Sequence, residues 1–363
     1  MPDQGSTEAV LESTRALDRW SVEEILAAIH REDRNAWEAV GRVLPAIERA
    51  VDVLVCVLGG GGRWFNVGAG TSGRMGALDA AEIPPTFGLP ADRVQMIIAG
   101  GERALHRAVE GAEDNPEAAA WELRERGLGP GDAVVAVSAS GHTPFTLGSL
   151  VAAHAVGART IAITCDPGSP LAEAAEIAIT PQVGPEVIAG STRMKGGLAQ
   201  KMVLHSLSTA VMVRLGLVDG NLMTNLAASS DKLRQRALRI VMALSRCDER
   251  RAAELLAACD GNVSEAVARA KSKAFARAGS ATSLGYASLR ASYVRGPARR
   301  SRATAAALGF ASRASLIADV VSPETGPRTA LAGNQRAPGS GGFGGIGPVQ
   351  LSTVSPPPLA SGT

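Results

Sequence analysis

The sequence predicts an α/β protein: a parallel sheet flanked by helices, with a helical arm ahead of it and a small helical module behind. Three observations point there. RWFNV (63–67), VQMII (94–98), AVVAV (133–137), TIAIT (160–164) and EIAIT (176–180) are short apolar runs. Helix-like stretches separate most of them, the alternation of a parallel sheet covered on both faces. Small polar loops follow the runs: GAGTSG (68–73), SASGHT (138–143) and, further along, GSTRMK (190–195).

The arm comes first. From Ser21 to Leu58 apolar residues recur at spacings of three and four, in SVEEILAAIHRED behind a serine N-cap and in WEAVGRVLPAIERAVDVLVCVL, and the glycines at 59–62 end the pattern. After the sheet, Thr192 to Leu217 reads as one long helix and Asp231 to Leu244 as another. Residues 247–270 then give two short amphipathic helices separated by Asp260, Gly261 and Asn262. From Arg295 onward the chain is rich in Gly, Pro, Ser, Arg and Ala without periodicity, and most of it reads as disordered.

Composition narrows the function. With 363 residues and 45% hydrophobic content the chain can bury a sizeable core. The formal net charge is +2 with both signs interleaved, so the one-sided basic surface of a nucleic-acid binder is absent. The first residues lack a basic start followed by an apolar run, and no stretch reaches the roughly 18 uncharged apolar residues of a membrane span. A cytoplasmic protein is expected. Cys56, Cys165, Cys247 and Cys259 lie singly, without metal or disulfide spacing, and read as reduced, buried thiols.

GAGTSG carries the first chemical signal. It follows an apolar run and precedes RMGALDAAE, so the amides of a helix N-terminus can face an anion while Thr71 and Ser72 add hydroxyls. A dinucleotide site would also need an acid at the exit of the second strand. Asp92 has the spacing but precedes VQMII, at the entry side. The two other hydroxyl loops suit a compact phosphate and sugar better. Two carboxylates also stand out. Glu82 ends the helix after the loop, just before Pro84 and Pro85, and Glu113 lies in AVEGAEDN after the second strand. A pair at the exit edge could divide the roles of base and acid.

The runs GAGTSGRMGALDAAEIPPTFG (68–88), AGGERALHRAVEGAEDN (99–115), ASGHTPF (139–145) and PEVIAGSTRMKGGLAQKMVL (185–204) resemble the N-acetylmuramic acid 6-phosphate etherases, enzymes with a sugar isomerase (SIS) domain. They occur in family order, and the likeness covers roughly residues 9 to 272. The resemblance implies an SIS-type sheet in a homodimer with sites at the interface. It implies cleavage of the D-lactyl ether at C3 of N-acetylmuramate 6-phosphate during cell-wall sugar recycling, with no metal or redox cofactor. Glu113 would be the base at C2, and Glu82 would protonate departing lactate and then activate water. Gly70, Thr71, Ser72, Ser138, Ser140 and Thr143 would bind the substrate, the hydroxyls holding its phosphate, with Ser191 and Lys195 of the third loop as further contacts.

The expected organisation is an arm at 1–52, an SIS domain at 53–220, a helical linker and UBA-like module at 221–275, and a divergent tail at 276–363. His142 stands where the family usually shows arginine or another residue, and reads as a solvent-facing loop histidine. The tail departs from the family pattern, as an altered reading frame or an appended linker would. Glucokinase regulatory protein is similar across the same loops, so a non-catalytic phosphosugar sensor is the alternative. An aldose–ketose isomerase is a third reading, with less need of an acid at C3.

Overall fold

The computed structural model describes residues 7–225 and 231–278. The tail from 279 onward, and so the expectation of disorder there, lies outside the described residues.

The arm is α1 (Val22–Arg42) and α2 (Leu44–Gly59). Ser21 starts α1 through a reciprocal capping box, its hydroxyl accepting from Glu24 N–H while Glu24 accepts from Ser21 N–H at 2.8 Å. The single helical pattern of the sequence is cut at Val43, because Pro45 sits in the first turn of α2, where its missing N–H costs nothing. Next come β1 (Trp64–Gly68), α3 (Gly70–Phe87), β2 (Val94–Ile98), α4 (Arg103–His106) and α5 (Pro116–Glu125). They are followed by β3 (Ala133–Val137), α6 (Pro144–Val156), β4 (Arg159–Ile163), α7 (Pro170–Ala174), β5 (Ile177–Ile179) and α8 (Lys195–Arg214). The module is α9 (Asp231–Ser245), α10 (Glu249–Ala257) and α11 (Val263–Ala278).

The five strands form one parallel sheet in the order β2-β1-β3-β4-β5. Alternate residues feed two cores. Trp64, Ala133, Val135, Ile161 and Ile163 join α2, α3 and α8 on one face. Phe65, Val67, Val134, Ala136 and Ala162 join α5 and α6 on the other. A third core, around Ile240, Leu255 and Val263, holds the module together. Asn66 is the polar exception on β1. It accepts from Trp64 Nε1 at 2.7 Å and donates to Gly76 O at 3.3 Å, which pins α3 to the strand.

All four cysteines are free, but only Cys165 and Cys259 are buried, and Cys56 is exposed on the outer side of α2. Periodicity on a helix with a polar face does not decide the exposure of so small a side chain. Among the described residues no helix is long and apolar enough to cross a membrane.

Candidate active site

Gly68, Ile98 and Val137 are in register across β1, β2 and β3, so the loops after them leave the same edge of the sheet. The chain turns to opposite sides after β1 and after β3, which are neighbours. That reversal opens a crevice outside their carboxyl ends, the place where open parallel sheets bind ligands. GAGTSG and SASGHT flank it.

In the first loop the glycines do different work. Gly70 takes φ +52, the left-handed region, at the start of α3. A Cβ on Gly73 would lie 2.6 Å from Ile98 Cγ1 and 2.8 Å from Gly68 O, so only glycine lets α3 pack this close to the strands. No side chain caps α3. Its helix dipole therefore faces the crevice without a built-in partner among the described residues. Thr71 is half-buried there and Ser72 is buried.

In the second loop the hydroxyls converge. Ser138 Oγ lies 3.0 Å from Thr143 Oγ1 and 3.5 Å from Ser140 Oγ, and accepts from Gly141 N–H at 3.1 Å. Gly141 is left-handed at φ +72, and a Cβ on it would strike Ser169 Oγ at 2.1 Å. α6 starts at Pro144 without a side-chain cap, giving a second open helix N-terminus beside the hydroxyls. His142 is exposed, as the sequence suggested. Its Nδ1 is 2.9 Å from Ser140 O, and because a carbonyl only accepts, Nδ1 carries the proton.

The third loop is arranged differently. α8 begins at Lys195, not at Thr192, because Glu186 captures its first N–H groups and Thr192 to Met194 remain in a turn. Ser191 is half-buried. Lys195, expected as a ligand contact, is 2% exposed and directs its ammonium to Glu32 of α1.

The two candidate catalytic carboxylates are both exposed. Glu113 lies in a 3-10 turn, Ala112–Asp114, that packs on α6, the helix of the second loop. Glu82 is on α3, which runs unbroken through Asp79 and takes Pro84 and Pro85 into its last turns. Ten residues of continuous helix put Glu82 about 15 Å along the axis from Ser72, at about 1.5 Å per residue. One hexose phosphate does not span that distance within a chain.

Sequence reasoning singled out none of the three carboxylates buried among the described residues: Asp132, paired with Arg63 ahead of β3, and Asp79 and Glu186. Burial pushes the Asp79 carboxyl up, against a hydrogen bond from Ser208. Neither Asp79 nor Glu186 has a local signature, since Ser208 is distant in sequence and Glu186 caps a helix from outside the usual capping position. A separate cleft at the far end of α3, lined by Gly88, Asn225, Arg234, Leu238 and Leu256, lies away from all three loops.

This sheet order, with its helices on both faces, is that of an SIS-type α/β fold. The SIS domain profile matches residues 118–210, and the glucokinase regulatory protein N-terminal SIS domain profile matches residues 47–154. The chain belongs to the N-acetylmuramic acid 6-phosphate etherase family. The member from Symbiobacterium thermophilum is 50% identical over 261 residues, 72% of this chain and 87% of that protein. Those from Edwardsiella ictaluri (49% over 254 residues, 70% and 85%) and Escherichia coli (46% over 261 residues, 72% and 88%) are similar. Among solved structures, a phosphoheptose isomerase from Neisseria gonorrhoeae matches with 18% identity and a TM-score of 0.42, over 53% of this chain and 98% of that one.

Proposed function

We propose that this protein cleaves the D-lactyl ether of N-acetylmuramic acid 6-phosphate, giving N-acetylglucosamine 6-phosphate and D-lactate in the cytoplasmic recycling of cell-wall sugar. The observation that carries this is family membership at 46–50% identity over about seven-tenths of the chain. The site supports it chemically. The 6-phosphate sits between the open N-termini of α3 and α6, on Ser72, Ser138, Ser140 and Thr143 and beside Gly70 and Thr71. Ser191 reaches the ligand from the third loop. Lys195 acts through the loop it anchors.

Glu113 takes the C2 proton of the open-chain aldehyde. The electron pair forms the C2–C3 double bond, the C3–O bond breaks, and Glu82 protonates the departing lactate oxygen. Water, deprotonated by Glu82, then adds at C3, and the C2 proton returns from Glu113. The unbroken α3 supports a homodimer in which Glu82 comes from the partner subunit.

Turnover in heavy-oxygen water tests the route. The expected product carries the label at C3 of the amino sugar and none in lactate. Label in the lactate hydroxyl would mean cleavage on the lactyl side and would overturn the elimination. The match of residues 47–154 to the glucokinase regulatory protein domain favours one alternative, a phosphosugar-binding regulator. It would bind the sugar without releasing lactate.

A further inference from the structure

Three helices, α3, α6 and α8, bring their N-termini to the loops of the site, and among the described residues only α8 has its own anion. Glu186, 1% exposed, accepts from Lys195 N–H at 3.2 Å and from Gly196 N–H at 2.9 Å. The next two N–H groups are also satisfied, Gly197 by Thr192 O and Leu198 by Met194 O, each at 2.8 Å. A carboxylate on the first N–H groups of a helix neutralises the positive end of its dipole, as a bound anion would. Burial pushes the Glu186 carboxyl up, and the two N–H donors and Lys195 pull it back.

The surroundings of Glu186 are fixed from several sides. Lys195 is paired with Glu32, and Asp33 and Cys165 also act on the Glu186 charge or feel it. One residue further on, Val187 O accepts from Thr14 Oγ1 at 3.0 Å. The turn that Glu186 caps lies against both hydroxyl loops. A Cβ on Gly197 would lie 3.2 Å from Thr71 Cγ2, and one on Gly196 would lie 3.6 Å from Ala139 Cβ.

We propose that Glu186 is a positioning residue of the phosphosugar site. Its fixed carboxylate fills the N-terminus of α8, holds that turn against Thr71 and Ala139, and leaves the α3 and α6 N-termini to the substrate phosphate. The assignment rests on the etherase reading of the site.

The test compares wild type, Glu186→Gln and Glu186→Asp, measuring Kd for N-acetylglucosamine 6-phosphate by calorimetry alongside KM and kcat. Gln keeps the volume but turns an amide donor toward a backbone donor. Kd and KM are expected to rise together about tenfold, the worth of a lost charge-assisted hydrogen bond, with kcat changing far less. Asp reaches only one of the two N–H groups and is expected to fall between. A folded Glu186→Gln with wild-type Kd and KM would overturn the proposal, as would a loss confined to kcat. If circular dichroism shows that neither variant folds, Glu186 is a structural cap and the proposal fails. Wild-type protein that binds the amino sugar but releases no D-lactate would count against the etherase reading instead, and the Kd comparison would remain readable.

Discussion

Asp79 shows how one residue ties stability to pH in this fold. It is buried between α3 and α8, with Oδ1 accepting from Ser208 Oγ at 2.9 Å and Oδ2 unpartnered among the described residues. Burial raises its folded pKa, and Ser208, Lys201 and His205 offset this only in part. The folded state therefore binds the proton more tightly than the unfolded one. Its contribution to stability is fully present below the unfolded value, about 3.9, and is lost as pH rises through the raised folded value. Asp79→Asn keeps an acceptor for Ser208 and removes the charge. Thermal melts are expected to show a higher Tm than wild type at pH 8 and no gain at the acid end, and equal shifts at both would refute this assignment. Such a residue is illegible in the sequence, because its partner is far away and its burial depends on how two helices meet. The loops are the opposite case. GAGTSG and SASGHT were readable because turn glycines, hydroxyls and the following helix are adjacent in the chain.

At the scale of elements, the strands were the most legible part. Each is a short apolar run bounded by polar or glycine residues, and each lies within a residue or two of its expected bounds. Helix ends were less so. The arm is interrupted at Val43 by the proline that opens α2, and α8 starts late because its capping carboxylate comes from elsewhere. Packing seams were not legible at all. α5 and α6 approach so closely that a Cβ on Gly148 would lie 2.1 Å from Pro116 O. Gly148→Ala is expected to cost about 1–3 kcal/mol, the usual penalty for overpacking, read as a lower urea midpoint. An unchanged midpoint would mean that the seam yields without cost.

For the whole molecule, the separation of Glu82 from the phosphate loop is the main constraint. α3 is continuous, so the proposed homodimer, in which the partner subunit supplies Glu82, is the arrangement that would bring both carboxylates to one sugar. Mixing Glu82→Gln subunits with Ser72→Asp subunits is expected to restore lactate release through hybrid dimers that keep one intact site. Inactive hybrids would contradict the shared site while leaving the reaction untouched. The reaction itself was legible because four motifs stand in family order. That GAGTSG and SASGHT flank one crevice between β1 and β3 depends on strand order, which no single motif encodes. The most direct test of the central claim is D-lactate release from N-acetylmuramic acid 6-phosphate by the purified full chain. The expected result is D-lactate in equal amount to N-acetylglucosamine 6-phosphate, and folded, dimeric protein that binds the substrate yet releases none would contradict it.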